Sequence, residues 1–400
     1  MYLGIGVRTA LAAGYNRSSL PTRIPSTSST ATTANPSTTT TTAMSLTWWG
    51  LYSLEVEFSF SLGRPDSLGV DAYHNQHIPS TTDHSITNET SIIALALPLA
   101  RLTRRVSVEI YHSVSSITHK LALAAEISTA LDSWIEGLPP LIRPDTEGGA
   151  ANEHDLRDRD PRWARRQRTV LGIRYRNLQM ALYRPFLAYY ARTSTRGQQS
   201  ASTSSTASAS LLTAVSRCIA AAIDTIAMLH TAYCRHGYLR TWWWNVTYIS
   251  FPASVLLLYA GRMEKVEKVE GRGERDEGVG ASKEEILKSV KMAVEVLEAM
   301  DECVVAGRAA QLIGQSLREV QGVGASAASE AAAPANARTQ ESRIPATAAP
   351  SATVQPKPSV LEMHDHGHIF GDDFAYCDLL LEEGWGTLFD DFNTSVAALV

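Results

Sequence analysis

Residues 166–187 read RQRTVLGIRYRNLQMALYRPFL. Leu171, Tyr175, Leu178 and Leu182 recur at alternating steps of four and three, the spacing that puts side chains on one face of an α-helix. Arg165, Arg166, Arg168 and Arg176 fall elsewhere around the same axis, available to solvent or a partner. The helix is expected over about 161–187. Patterns of this kind recur along the chain and no convincing run of alternating strand residues does, so the expected fold class is all-α, an irregular multi-helix array.

N-terminal to this stretch, Ile110, Val114, Ile117, Leu121, Ala124, Leu131 and Ile135 predict one helix over about 104–136, ended by Gly137 and the Pro139-Pro140 pair. Farther back, Leu51, Leu54, Phe58 and Leu62 share one helical face, and Trp49, Tyr52, Val56 and Phe60 fill the adjoining one, which predicts a helix buried on most sides. Gly63 suits a left-handed C-terminal position there, and Pro65 prevents resumption. C-terminal to residue 187, helices are expected over about 211–235, 242–260, 283–305 and 306–320.

Between these helices the composition cannot build a core. Residues 19–45 are dominated by Ser and Thr, and similar loops fall near 193–210 and, rich in charge, 262–282. An Ala/Pro-rich linker is expected over 321–360. The expected organisation is an N-terminal helix at 1–18, an insert at 19–45, a main helical domain at 46–320, the linker, and a tail at 361–400. The start, MYLGIGVRTALAAGY, lacks a basic leader and is interrupted by Arg8, so it reads as part of a helix in an intracellular protein rather than as a signal peptide.

The 400 residues are 44% hydrophobic and 19% charged, with a formal net charge of -5, so no global basic field attracts nucleic acid. Cys218, Cys234, Cys303 and Cys377 are scattered without a CxxC pair, which leaves neither a disulfide framework nor a zinc module in view. No P-loop, dinucleotide fingerprint or nucleophile–base arrangement is identifiable, and the expectation is that the chain is not an enzyme, with no catalytic, cofactor or metal residues.

Five segments, in order, resemble the middle homology region of fungal zinc-cluster transcription factors, also called the fungal-specific or xylanolytic-activator regulatory domain. YLGIGVRTALAAGYNRS (2–18) carries Gly4, Arg8, Ala10, Gly14 and Arg17 at places similar to the family's first helix, with Asn16 where the family usually has His. TWWGLYSLEVEFSFSLGRPDSLGVDAYHNQHIP (47–79) is similar from Trp48, Trp49, Tyr52 and Glu55 through Ser59 to Gly63, Arg64 and Pro65, although Ser45-Leu46-Thr47 replaces the usual basic residues. LDSWIEGLPPLIRP (131–144), the 166–187 helix with its Arg184-Pro185 pair, and TWWWNVTYISFPASVLLLY (241–259) complete the set. The resemblance implies the regulatory and interaction region of a nuclear factor controlling RNA polymerase II transcription, with transcriptional coregulators as partners and a small-molecule effector as a further one. It also implies that DNA binding belongs to a zinc cluster N-terminal to this region. Because the chain starts within the region, it is expected to lack that cluster and its zinc, and to bind no specific DNA sequence alone.

Each motif residue also has a plain structural role. Trp48, Trp49 and Trp242 to Trp244 are expected in the core rather than on a stacking surface. Arg64 and Arg184 are expected to bond helix-end carbonyls or a buried carboxylate such as Glu55. The arginines between 157 and 176 are expected on a solvated helix face, and His364, Asp365, His366 and His368 are incidental neighbours rather than a metal site. Two alternatives belong to other classes. One is a membrane protein with a single span near 241–261, a stretch without charge, against which Asn245, Pro252 and several hydroxyl groups argue. The other is a metabolite-binding helical enzyme.

Residues 359–400 contain no Lys or Arg, and Asp and Glu alternate there with large apolar groups that include Trp385, Phe389 and Phe392. That composition predicts an activation segment that folds on a coactivator, and the competing expectation is an appendage docked on the helices.

Overall fold

The computed structural model describes residues 2–18, 36–79, 90–144, 160–193, 205–235, 245–270, 281–300 and 303–321. Among these residues there are nine α-helices and no strand, as the helical periodicities predict. They are α1 (Tyr2–Ala12), α2 (Pro36–Ser61), α3 (Ser91–Arg105), α4 (Ile117–Glu136), α5 (Arg162–Thr193), α6 (Ser205–Arg235), α7 (Asn245–Glu270), α8 (Lys283–Glu298) and α9 (Val304–Val320). The chain divides into two compact units, Met1–Ile313 and Gly314–Val400. Of the second, only residues 314–321 are described, and they are the end of α9 and the residue after it.

In the first unit, α1 packs on α2, α2 on α3, and α3 on both α4 and α5. The most extensive pairing is α5 with α6, and α7 and α8 close the array against α6. Gly172 of α5 lies close under Met228 of α6 and Pro144. A Cβ there would lie 3.2 Å from both the Met228 sulfur and the Pro144 side chain, so a larger residue would require those side chains to shift by a few tenths of an ångström.

Helix ends follow local chemistry. Gly63 has φ 62°, and the Arg64 amide reaches the Ser59 carbonyl at 2.9 Å while the Gly63 amide reaches Phe60 at 3.1 Å, so two otherwise orphaned carbonyls of α2 are bonded. Gly14 closes α1 in the same way. Ser116 caps α4 by accepting from the His119 amide at 3.3 Å, and Ser282 caps α8 by accepting from Glu285 at 3.2 Å.

Several boundaries differ from the sequence expectation. Helix α2 begins at Pro36, inside the Ser/Thr-rich stretch, because Pro suits a first helical position and the end of that stretch is held by tertiary contacts: Ser45 is buried and donates to the His77 carbonyl. The face expected to be buried is partly turned to solvent. Leu54, Phe58 and Leu62 are 41%, 52% and 51% exposed, while Trp48, Trp49, Tyr52 and Val56 form the core. Periodicity finds two apolar faces on this helix and cannot choose between them.

The single helix expected over 104–136 is two helices. Helix α3 passes into a π-helical turn, Val106–Tyr111, and the chain breaks at residues 112–116, leaving Val114 97% exposed. Lys120 accounts for part of the break: it is buried and donates through Nζ to the Ile110 carbonyl at 2.7 Å, capping the end of the π-turn. Helix α7 extends to Glu270, into the stretch expected to be a charged loop, and residues 283–305 hold α8, a break, and the start of α9.

Among the described residues, the helix long and apolar enough to cross a membrane is Ser208–Cys234, not 241–261. It belongs to α6, which is packed against α5, α7 and α8. In α7, Ile249, Ala253, Leu256, Tyr259 and Ala260 are fully buried. Both helices serve as core elements. Trp242 to Trp244, the His364–His368 cluster and the 361–400 tail lie outside the described residues.

Candidate functional site

The Trp-Trp segment and the loop after Gly-Arg-Pro form one unit. Trp48, Trp49, Tyr52 and Val56 join Val7 and Ala10 of α1 and Leu97 of α3 in a buried cluster. The loop folds back over it: the His74 ring lies 5.1 Å from Trp48 and 5.6 Å from Tyr52, and Trp49 Nε1 donates to the His77 carbonyl at 3.2 Å. Asn16 is buried and donates through Nδ2 to the Tyr73 carbonyl at 2.8 Å, while Gln76 Nε2 donates to the Tyr15 carbonyl at 3.0 Å. The loop is thereby tied to the end of α1.

Glu55 is buried, and its Oε1 accepts from the Ser67 amide at 3.0 Å and the Ser67 hydroxyl at 2.6 Å. Arg64 and Pro65 are exposed in the turn, so the carboxylate expected to hold Arg64 is satisfied by Ser67 instead. The cation that organises this loop is Arg104 of α3. It donates through Nε and Nη2 to the two Asp66 oxygens at 2.9 and 3.1 Å, to the Gly69 carbonyl at 2.5 Å, to Asp71, and to the Tyr52 hydroxyl at 3.3 Å. Burial opposes its charge, and Tyr52 and Asp66 outweigh that effect, so its pKa is raised. Burial, followed by donation to Asp71, pushes the Tyr52 hydroxyl up to about 12. Sequence reading missed Arg104 because its partners lie 33 to 52 residues away.

A second polar centre joins α2, α5 and α7. Arg174 Nη2 lies 2.5 Å from Glu57 Oε2, its Nε donates to Oε1 at 3.3 Å, and the Tyr248 hydroxyl donates to the same Oε1. Burial opposes the Arg174 charge and Glu57 overcomes it, whereas burial and then Glu57 raise the Tyr248 hydroxyl well above its usual range. This centre forms one wall of a cleft of about 40 Å³.

A third centre joins two motif segments. Tyr175 donates to Asp132 at 2.8 Å and stacks on Trp134 with ring centroids 6.4 Å apart. Trp134 Nε1 donates to the Leu95 carbonyl at 2.9 Å, and Arg168 donates to the Leu141 carbonyl at 3.0 Å. Segments 131–144 and 166–187 therefore meet directly. Arg168 also pairs with Asp160, and Arg176 pairs with Asp224 at 3.1 Å. Arg168 and Arg176 are structural ties, whereas Arg162 and Arg166 are exposed, so the expected solvated face holds for only part of the described arginines. Arg184, half-buried beside Pro185 within α5, sits 5.7 Å from the Phe251 ring centroid.

None of these centres fits a zinc ion. Among the described residues no group of three or more His, Cys, Asp or Glu side chains could hold a metal. Cys218 is buried with its thiol pushed up to about 12 by desolvation, while Cys234 is exposed and Cys303 half-buried.

No family model matches the chain, and no solved structure matches it at significance. Over 208 residues, 48% of this chain and 19% of the relative, it is 24% identical to the activator of stress genes 1 of Saccharomyces cerevisiae. Over 176 residues, 35% of this chain and 26% of the relative, it is 24% identical to the terreic acid cluster-specific transcription factor atF of Aspergillus terreus. The matched region spans about a fifth to a quarter of each relative's length. The chain is thus an all-helical protein, among its described residues, related in sequence to fungal transcription factors.

Proposed function

We propose that this chain is the regulatory and interaction region of a nuclear fungal transcription factor that controls transcription by RNA polymerase II, and that it works through coregulator contacts rather than catalysis. The observation that carries the reading is the convergence of motif segments distant in sequence. Asp132 and Trp134 of one meet Tyr175 of the next, and the Trp48–Trp49 segment is closed by the loop that follows its Gly-Arg-Pro turn. These residues build a helical platform, and its relatives are transcription regulators. Base recognition belongs, in this reading, to a zinc cluster outside these residues.

The test is to fuse the full chain to an unrelated DNA-binding domain in fungal cells and measure a reporter. Reporter output is expected to change relative to the DNA-binding domain alone, and the fusion to accumulate in the nucleus. Changing Trp385, Phe389 and Phe392 together to Ala is expected to remove activation without lowering expression, since these residues belong to the segment proposed to bind the coactivator. A fusion indistinguishable from the DNA-binding domain alone would overturn the reading.

A further inference from the structure

We infer that the outer face of α1 and α2 binds an acidic amphipathic helix of a separate coregulator, an inference that rests on the transcriptional reading above. Leu54, Phe58 and Leu62 recur every four residues along and just past α2, and all three are exposed, as are Tyr2 and Ile5 of α1. A Cβ on Gly6 would sit 3.7 Å from Leu51, and the end of α1 is tied through Gln76 and His77 to Ser45. The two helices therefore run antiparallel, and Tyr2 and Ile5 lie alongside the Leu54–Leu62 stripe. That stripe is about 12 Å long at 1.5 Å per residue, the size of a helix of two to three turns rather than of a lipid surface.

Charge selects the partner. Among the described residues from 2 to 79 the carboxylates are Glu55, Glu57, Asp66 and Asp71, and each is committed: Glu55 to Ser67, Glu57 to Arg174, and Asp66 and Asp71 to Arg104. Arg8, Arg17 and Arg64 are exposed, and no ion pair or side-chain hydrogen bond engages them. Arg64 stands two residues past Leu62, at the end of the stripe, and Arg17 follows α1 at the opposite end of the layer. The layer thus offers apolar side chains and unpaired cations with no carboxylate left to answer them. A second copy of this chain would bring more arginines and no free carboxylate to the contact, whereas an acidic helix supplies the missing charge.

The experiment titrates the purified full chain into a fluorescein-labelled, acetylated peptide of about 15 residues, with Leu and Phe on one helical face and Glu on the rest, and reads anisotropy. A counterpart carries Lys in place of each Glu. The acidic peptide is expected to bind with a Kd of about 10–100 µM, and the lysine peptide at least about ten-fold more weakly. Phe58→Ser is expected to weaken binding about ten-fold with helicity and Tm unchanged, because its side chain is half-exposed. Arg64→Glu is expected to weaken the acidic peptide about five-fold and to narrow its advantage over the lysine peptide. Should Phe58→Ser fail to fold, Leu62→Ser, just past the end of α2, takes its place. No binding of the acidic peptide, equal binding of the lysine peptide, or affinity indifferent to these substitutions overturns the proposal. So does dimerisation in sedimentation, or capture on phosphatidylserine vesicles, that Phe58→Ser abolishes, since the face would then belong to a second copy or to lipid. Peptide binding is read without transcription, so its failure leaves the reporter result standing, and a silent reporter with binding intact strikes the transcriptional reading alone.

Discussion

Arg104 holds Asp66 through two parallel hydrogen bonds, at 2.9 and 3.1 Å, and so fixes the loop after the Gly63-Arg64-Pro65 turn to the C-terminal end of α3. Planar, bidentate pairing is specific to guanidinium, and lysine cannot reproduce it. Arg104→Met is expected to destabilise the protein by about 2–3 kcal/mol, because Asp66 is left partly buried without its cation, and Arg104→Lys nearly as much, because one ammonium cannot hold both Asp66 oxygens together with the Gly69 carbonyl and the Tyr52 hydroxyl. Urea denaturation measures this. A lysine variant as stable as the parent would show that charge alone, without geometry, holds the loop.

The Glu57–Arg174 pair connects helices 117 residues apart in sequence. Removing either partner strands the other, so Glu57→Gln and Arg174→Met should each cost about 2–3 kcal/mol, less than a fully buried pair because both side chains are about a quarter exposed. The double variant should be much more stable than the sum of the single losses implies. A double-mutant cycle in urea checks this, and additive losses would mean that the two residues act independently.

His74 links stability to pH. Its ring is buried, Nε2 lies 3.1 Å from the Leu68 carbonyl, and Nδ1 has no partner, so the neutral form with hydrogen on Nε2 fits the site. Desolvation lowers its pKa below the ordinary 6.5, against smaller opposing contributions from the Leu68 carbonyl and Asp71. With the folded pKa depressed, the unfolded chain binds more protons as pH falls below 6.5, so the stability contribution is complete above 6.5 and is lost toward the folded pKa. Melting temperatures measured downward from neutral pH should fall more for the parent than for His74→Phe, which cannot titrate. Parallel curves would remove His74 as the cause.

Burial separates neighbouring positions on α7. Leu256 is fully buried, whereas Leu257 is only partly so. Leu256→Asp places an unpaired charge in the core and should abolish the folded state, and Leu257→Asp should leave a measurable melting transition. Circular dichroism during heating distinguishes them, and equal damage at both positions would mean that α7 is surrounded on all sides.

The sequence by itself determined that the protein is helical. The three-and-four spacing in residues 166–187, glycine at positions 14 and 63, and the absence of alternating strand patterns are local properties, and a helix is held largely by local hydrogen bonds. Tertiary structure decided which face of α2 is inside, because Leu54, Phe58 and Leu62 satisfy the helical period as well as Trp48, Trp49, Tyr52 and Val56 do. It also decided where helices break. The 104–136 pattern passes through a π-turn whose carbonyl is bonded by Lys120, a residue whose burial no apolar period foretells. The charged centres at Arg104 and at Glu57, Arg174 and Tyr248 were illegible for the same reason. Each is assembled from helices far apart in the chain, and only the packing of those helices brings the charges within hydrogen-bonding reach.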